Sequence, residues 1–77
     1  MYPNPFVKQQ AALGRALRAL RLQSGLSQGG MARKMRITQS QLCRLESGQQ
    51  GTRLAVLLRA SRVLGLRPSD LLREAGL

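Results

Sequence analysis

Residues 27–48 read SQGGMARKMRITQSQLCRLESG, and this stretch decides the fold. Ser27 and Thr38 each stand just before a helix-forming segment. Their hydroxyls can accept a backbone N–H that has no partner in the first helical turn, so we predict that both are N-caps. The apolar residues that follow the caps are spaced as one buried helix face requires. They are Met31, Ala32 and Met35 in the first segment and Leu42 and Leu45 in the second.

The connection between these two segments is very short. Arg36 and Ile37 alone separate Met35 from the Thr38 cap. Two helices joined by so few residues cannot lie antiparallel and must cross steeply. The stretch therefore predicts a helix-turn-helix motif.

The charge of the chain points to a polyanionic partner. Its 77 residues include 13 Lys and Arg against three acids, which gives a net charge of +10. In a compact domain, a pI near 11.9 favours nucleic acid as the partner. A genome whose base composition favours arginine codons would account for some of the arginines but not for the scarcity of acids. A membrane surface fits less well, because the chain has no long apolar run and its apolar residues are needed for a core.

The side-chain inventory argues against catalysis and against a bound metal or cofactor. The chain has no His, its acids are Glu46, Asp70 and Glu74, and Cys43 has no evident base beside it. General acid–base chemistry and metal coordination both need such groups. A single cysteine forms no intrachain disulfide, and residues 1–5 lack the basic-then-apolar order of a signal peptide. We therefore expect a non-enzymatic protein of the reducing cytoplasm.

Motifs on both sides of the central stretch extend the pattern. They are Leu17-Arg18, Arg21, Gly25-Leu26-Ser27-Gln28, Met31-Ala32, Leu45-Glu46-Ser47-Gly48, Leu64-Gly65-Leu66 and Pro68-Ser69. In this order and spacing, residues 13–72 resemble the Cro/CI-type helix-turn-helix family, also called the XRE family. The resemblance implies an all-α, five-helix domain of the lambda-repressor type, with the helix-turn-helix formed by helices 2 and 3.

The expected organisation is an N-terminal tail and the start of helix 1 in residues 1–12, followed by the helix-turn-helix domain in residues 13–77. Within the tail, Phe6 is expected to be flexible or to fold back on the core. The helices are expected at about 8–24, 28–35, 38–46, 53–64 and from Pro68 onward, with Thr52 capping the fourth. On helix 4 the predicted core face consists of Leu54, Leu57, Leu58, Ser61 and Leu64.

The resemblance also implies which residues read DNA. In the family, the N-terminal part of the third helix contacts base edges in the major groove. The corresponding positions here are Thr38, Gln39, Ser40 and Arg44. Gln39 can pair with adenine and Arg44 with guanine, each pair giving about 1–3 kcal/mol of discrimination. The alternative for Arg44 is a contact to phosphate alone.

Phosphate contacts are expected around this reading helix. The candidates are Gln28, Arg36, Gln49, Gln50 and Arg53. The chain departs from the family at Gly29 and Gly30, where polar helix formers are usual, and at Arg36, where the family prefers Gly because φ is often positive. We therefore expect either that Arg36 is mildly strained or that the turn differs slightly from the family's.

A structural ion pair and a dimer surface complete the expectations. The resemblance implies that Arg21 pairs with Glu46 across the domain. Apolar residues beyond the needs of one small core suggest a subunit contact, with closure of the core as the alternative. The candidate dimer residues are Val56, Val63, Leu71, Leu72, Ala75 and Leu77.

The expected function is sequence-specific binding of double-stranded DNA by a homodimeric transcriptional repressor, acting on a palindromic operator and on its own promoter. One alternative is the antitoxin of a toxin–antitoxin pair, in which residues 1–12 would serve to hold the toxin. The other is the controller protein of a restriction-modification system, which differs only in genomic context.

Overall fold

The computed structural model describes residues 3–77, which form five α-helices and no strand. The helices are α1 (Val7–Gln23), α2 (Gln28–Met35), α3 (Gln39–Glu46), α4 (Leu54–Leu64) and α5 (Pro68–Glu74). The predicted all-α, five-helix fold is therefore confirmed. None of the helices in this part of the chain is long and apolar enough to cross a membrane.

The core lies where α1, α2 and α3 meet and is closed by α4 and α5. Its largest fully buried side chains are Leu17, Met31, Met35, Leu42 and Leu71. Full burial of one such side chain stabilises a fold by roughly 1.5–3 kcal/mol. The apolar residues that identified the two central helices in the sequence are thus the residues that hold them in place.

The caps of the two central helices form as predicted. The Ser27 hydroxyl accepts a hydrogen bond from the Gly30 N–H at 3.0 Å, and the Thr38 hydroxyl accepts one from the Gln41 N–H at 3.0 Å. Gln41 Oε1 in turn accepts the Thr38 N–H at 2.8 Å, which completes a capping box. The predicted cap of the fourth helix is wrong, because α4 begins after Arg53 and has no side-chain cap. The start of each central helix is therefore fixed by local hydrogen bonds.

The predicted core face of α4 is wrong in two of its five residues. Leu54 is 68% exposed and Leu58 is 45% exposed, whereas Ala60 and Ser61 are buried. Val56 packs against the core instead. The helix is apolar around most of its circumference, so periodicity alone admits more than one rotation. Contacts with α2, α5 and α1 select the rotation that is observed.

Packing within the chain also bears on the predicted dimer surface. Leu71 is fully buried, and Val56, Val63, Leu72 and Ala75 pack against the core of the same chain. Leu71 is therefore no dimer contact, which corrects that prediction. The other four are only partly buried, so a subunit contact at them stays a prediction. Leu77, by contrast, is 53% exposed.

The N-terminal segment is fastened to the loop that follows α3. Asn4 Oδ1 accepts the Phe6 N–H at 2.9 Å, and Asn4 Nδ2 donates to Gln10 Oε1 at 3.0 Å. Gln10 Nε2 then donates to the Gly48 carbonyl at 2.9 Å. Phe6 itself is 64% exposed, so the expectation that it folds onto the core is wrong. The part of the predicted tail that comprises Met1 and Tyr2 lies outside the described residues.

A glycine in α1 permits close packing against the end of α3. A Cβ atom at Gly14 would lie only 2.3 Å from the Leu45 carbonyl oxygen and 2.7 Å from that of Glu46. Any side chain here would force the two helices apart. Periodicity gives no sign of this contact, because the partner lies about thirty residues further along the chain.

Candidate nucleic-acid interface

One side of α3 is exposed. Gln39, Ser40 and Arg44 are exposed on this helix, and so is Thr38 at its cap. On the opposite side, Leu42 and Leu45 are buried in the core. We call the exposed side of α3 the reading face. Three of the four predicted base-contacting residues project from one helix, and the fourth stands at its first turn.

The polar groups at the start of α3 are partly committed within the protein. The Thr38 oxygen accepts the Gln41 N–H, so Thr38 keeps its O–H as a donor for another partner. The Gln41 carboxamide oxygen is used by the Thr38 N–H. A Gln three residues after a Thr before an apolar run is the sequence signature of a capping box, and this signal could have been recognised from the sequence.

Gln39 lies against the first turn of α2. A Cβ atom at Gly29 would stand 3.3 Å from Gln39 Oε1, closer than most side-chain contacts allow. Glycine at position 29, one of the departures from the family pattern, therefore leaves room for the Gln39 side chain.

Arg44 is held by a residue from the loop after α3. Its Nε donates to Gln50 Oε1 at 3.0 Å. The guanidinium has five N–H donors, so both terminal amino groups stay available for a partner. This contact was not anticipated, because Gln50 was assigned to phosphate.

The C-terminal end of α3 is locked by a buried ion pair. Arg21 Nε donates to Glu46 Oε2 at 2.6 Å and Arg21 Nη2 donates to Glu46 Oε1 at 3.0 Å. The two side chains are only 8% and 3% exposed. Bidentate pairing of this kind is stronger and more directional than a single contact. The pair implied by the family resemblance is thus present.

Two further contacts complete the site around this pair. Arg21 Nη1 donates to the Leu26 carbonyl at 3.0 Å, and Gln28 Nε2 donates to Glu46 Oε1 at 3.1 Å. The hydrogen bond to Glu46 raises the pKa of Arg21 although burial opposes the rise. A carboxylate at a helix C-terminus is disfavoured by the helix dipole, and Arg21 offsets this. Together the contacts tie α1 and the start of α2 to the end of α3.

The turn between α2 and α3 has the geometry that the family pattern indicated. Arg36 has φ of 59° and ψ of 42°, which is the left-handed region. It is the one non-glycine residue with positive φ in residues 3–77. Such a residue is strained relative to glycine. The chain therefore retains an exposed cation at this turn at some cost in stability.

The predicted phosphate contacts fall into two groups. Arg36, Gln49 and Arg53 are exposed, whereas Gln28 and Gln50 are half-buried and make hydrogen bonds within the protein. A surface cavity lies beside α3. It is lined by the polar side chains of Gln41, Arg44, Gln50 and Arg53 and by Ile37, Leu45, Gly51 and Val56.

The distribution of acids favours an anionic partner on this side of the molecule. Glu46 is buried and paired, while Asp70 and Glu74 lie on α5. Asp70 Oδ1 is 3.5 Å from Arg73 Nη1, and Asp70 Oδ2 is 3.9 Å from Arg67 Nε. The reading face therefore carries positive charge that no neighbouring carboxylate offsets. Within residues 3–77 no group of three or more His, Cys, Asp or Glu is placed to hold a metal ion.

The fold and the reading face together define a DNA-binding helix-turn-helix protein of the Cro/CI type. A family model described as a helix-turn-helix domain matches residues 12–75. The chain belongs to this family of DNA-binding transcription regulators. Among curated protein sequences, none matches the chain.

Solved structures of regulators are similar to the chain over most of its length. One crystal structure of the clp gene regulator ClgR from Corynebacterium glutamicum is 31% identical, with a TM-score of 0.85, over 96% of this chain and 77% of that one. A second structure of ClgR is 30% identical, with a TM-score of 0.83, over 95% of this chain and 92% of that one. The restriction-modification controller protein C.AhdI from Aeromonas hydrophila is 31% identical, with a TM-score of 0.78, over 80% and 94% respectively.

Proposed function

We propose that the protein is a sequence-specific, double-stranded DNA-binding transcription regulator of the cytoplasm, without enzymatic activity. The observation that carries this proposal is the reading face. Gln39, Ser40 and Arg44 are exposed on one side of a helix whose other side is fixed in the core. In a helix-turn-helix protein this face enters the major groove, where Gln and Arg recognise adenine and guanine.

The phosphate backbone supplies the sequence-independent part of the affinity. Three of the candidate phosphate contacts are exposed. Arg36 precedes α3 along the chain, and Gln49 and Arg53 follow it in the loop before α4. Side chains so placed fix the register of the protein on the duplex without reading sequence. With a net charge of +10, binding depends strongly on salt.

We further propose that two copies bind a palindromic operator, with their α3 helices in major grooves about 34 Å apart. Support comes from the exposed apolar side chains of Leu54 and Leu58 on α4 and of Leu77 at the C-terminus, which a second copy would cover. Occupancy of the operator then represses transcription, including that of the protein's own gene.

The test is selection of bound duplexes from a random DNA library at about 0.15 M salt. The expected result is an inverted repeat whose half-sites lie about one helical turn apart. Salt-sensitive binding without an enriched motif would contradict sequence-specific regulation. Enrichment of a single half-site, with one protein per duplex in sedimentation, would contradict dimeric binding but not sequence-specific binding.

A role as a controller protein is the second candidate, and the similarity to C.AhdI supports it. The two roles share the same DNA chemistry and differ in the genes that are regulated. A restriction endonuclease and methyltransferase beside the gene, with the selected operator upstream of them, would establish the controller role. A neighbouring toxin-like reading frame would instead favour an antitoxin.

A further inference from the structure

The hydrogen bond between Arg44 and Gln50 joins the reading face to the loop that follows α3. Arg44 lies on the exposed side of α3, and Gln50 lies six residues further on, beyond the end of that helix. An exposed arginine loses side-chain entropy when it is ordered. A neighbouring residue that already restricts Arg44 in the free protein reduces the entropy that is lost when DNA binds.

The loop that carries Gln50 is held at both ends of its first turn. The Gln49 N–H donates to the Arg44 carbonyl at 2.9 Å and the Gly48 N–H to the Leu45 carbonyl at 3.2 Å. With Gly48 at φ of 76°, these bonds form a Schellman motif at the end of α3. Gln10 of α1 binds the Gly48 carbonyl as well. Gln50 is thus attached to a segment whose position relative to α3 is fixed.

The chemistry of the contact suits base reading better than phosphate binding. The carboxamide oxygen of Gln50 occupies Arg44 Nε, so the pair of terminal amino groups is left for the O6 and N7 acceptors of a guanine. Because the carboxamide is neutral, Arg44 keeps its full charge for the DNA. A carboxylate at position 50 would offset that charge, and its second oxygen would compete for a terminal amino group, as Glu46 does with Arg21.

We propose that Gln50 is a positioning residue for base recognition, which holds Arg44 so that its terminal amino groups meet one base pair. This inference rests on the proposed function and deepens it. It replaces the expectation that Gln50 serves DNA binding mainly through phosphate. The amide nitrogen of Gln50 makes no hydrogen bond within residues 3–77, so a phosphate contact from that atom is compatible with the positioning role.

The experiment uses the full chain and the duplex recovered by library selection, together with three versions of it that differ at the base pair recognised by Arg44. Arg44→Ala identifies that base pair and should lower discrimination there about tenfold or more. Gln50→Leu should lower discrimination about three- to tenfold at the same base pair and nowhere else. In Arg44→Ala, adding Gln50→Leu should lower discrimination no further.

Gln49→Leu is the matched control, since Gln49 is an exposed neighbouring glutamine whose side chain does not contact Arg44. Because Gln49 is a proposed phosphate contact, this variant should weaken binding to every duplex equally and leave discrimination at the Arg44 base pair unchanged. Gln50→Glu should weaken binding to every duplex, because it adds a negative charge beside the DNA.

The outcomes separate the positioning role from its alternatives. If Gln50→Leu weakens all duplexes equally, Gln50 is a phosphate contact and the positioning role is overturned. If Gln50→Leu leaves discrimination at the Arg44 base pair unchanged, the positioning role is overturned as well. If Arg44→Ala itself weakens all duplexes equally, Arg44 does not read a base, and the proposed function fails at that residue. In the free protein, nuclear magnetic resonance should show slowed exchange of the Arg44 Nε–H that Gln50→Leu abolishes and Gln49→Leu does not.

Discussion

The two sides of α3 are stabilised in opposite ways. The inner side buries Leu42 and Leu45 and ends at Glu46, whose carboxylate receives three hydrogen bonds from Arg21 and Gln28. The outer side is exposed, and its one side-chain contact to the loop is the bond from Arg44 to Gln50. The difference indicates that the inner side supplies stability, while the outer side is the one we propose for recognition. Changes on the two sides should therefore affect different measurements.

Removing the charge of Glu46 should have the largest effect. Glu46→Gln leaves Arg21 buried without its carboxylate partner, so we expect a loss of about 3–5 kcal/mol in the free energy of unfolding. Urea denaturation followed by circular dichroism measures this loss. The matched control is Arg18→Ala, because Arg18 is an exposed arginine on α1 and should change stability by no more than about 0.5 kcal/mol.

The pH dependence of the pair follows from the direction of the Arg21 shift. The pKa of Arg21 is raised in the folded state, so its contribution to stability is fully present below the pKa that Arg21 has in the unfolded chain. That contribution is lost only as the pH rises through the raised pKa, far above neutrality. A loss of stability from this group near neutral pH would contradict the assignment.

Truncating the inner side within the core should have the next largest effect. Leu42→Ala removes a fully buried side chain and should cost about 2–5 kcal/mol of unfolding free energy. Cys43→Ala, one residue along and exposed, should change stability by no more than about 0.5 kcal/mol. Equal losses in the two variants would mean that α3 does not divide into a buried side and an exposed side.

The turn that leads into α3 offers a smaller and mixed effect. Arg36→Gly relieves the left-handed strain and should stabilise the fold by about 0.5–1 kcal/mol. If Arg36 also binds a phosphate, the slope of log affinity against log salt concentration should fall by about 0.9. Titrations at several salt concentrations measure this slope. An unchanged slope would remove Arg36 from the phosphate contacts but leave the strain argument intact.

Gly29→Ala should change stability little but alter the reading face. Gly29→Ala improves helix propensity by about 0.5–1 kcal/mol. The added methyl group shifts the Gln39 carboxamide slightly, because its carbon would lie 3.3 Å from Gln39 Oε1. We therefore expect preserved or slightly raised stability together with a changed base preference at the Gln39 position. Unchanged preference in library selection would show that Gln39 does not need the space that Gly29 leaves.

Much of α3 and its turn could be predicted because the signals are local. Thr38 caps the helix from its first turn, and Leu42 and Leu45 form a single apolar stripe that leaves one choice of rotation. The pair of Arg21 with Glu46 followed from resemblance to a family. It could not be derived from spacing, because its partners are 25 residues apart.

The rotation of α4 could not be predicted, for the opposite reason. Apolar residues surround most of this helix, so a face with Leu54 and Leu58 buried satisfies the periodicity as well as the observed one. The packing of α2, α5 and α1 against Val56, Ala60 and Ser61 decides between them. The same packing removed Leu71 from the predicted dimer surface.

The sequence by itself determined the helix-turn-helix, its caps, its buried face and the basic character of the domain, because caps, turns and a one-sided apolar pattern act over a few residues. Tertiary structure alone decided the contacts that shape the interface. Gly14 meets Leu45, Gln10 meets Gly48, and Gln50 holds Arg44. These contacts arise from the packing of helices and the path of the loop, and neither leaves a periodic trace in the chain.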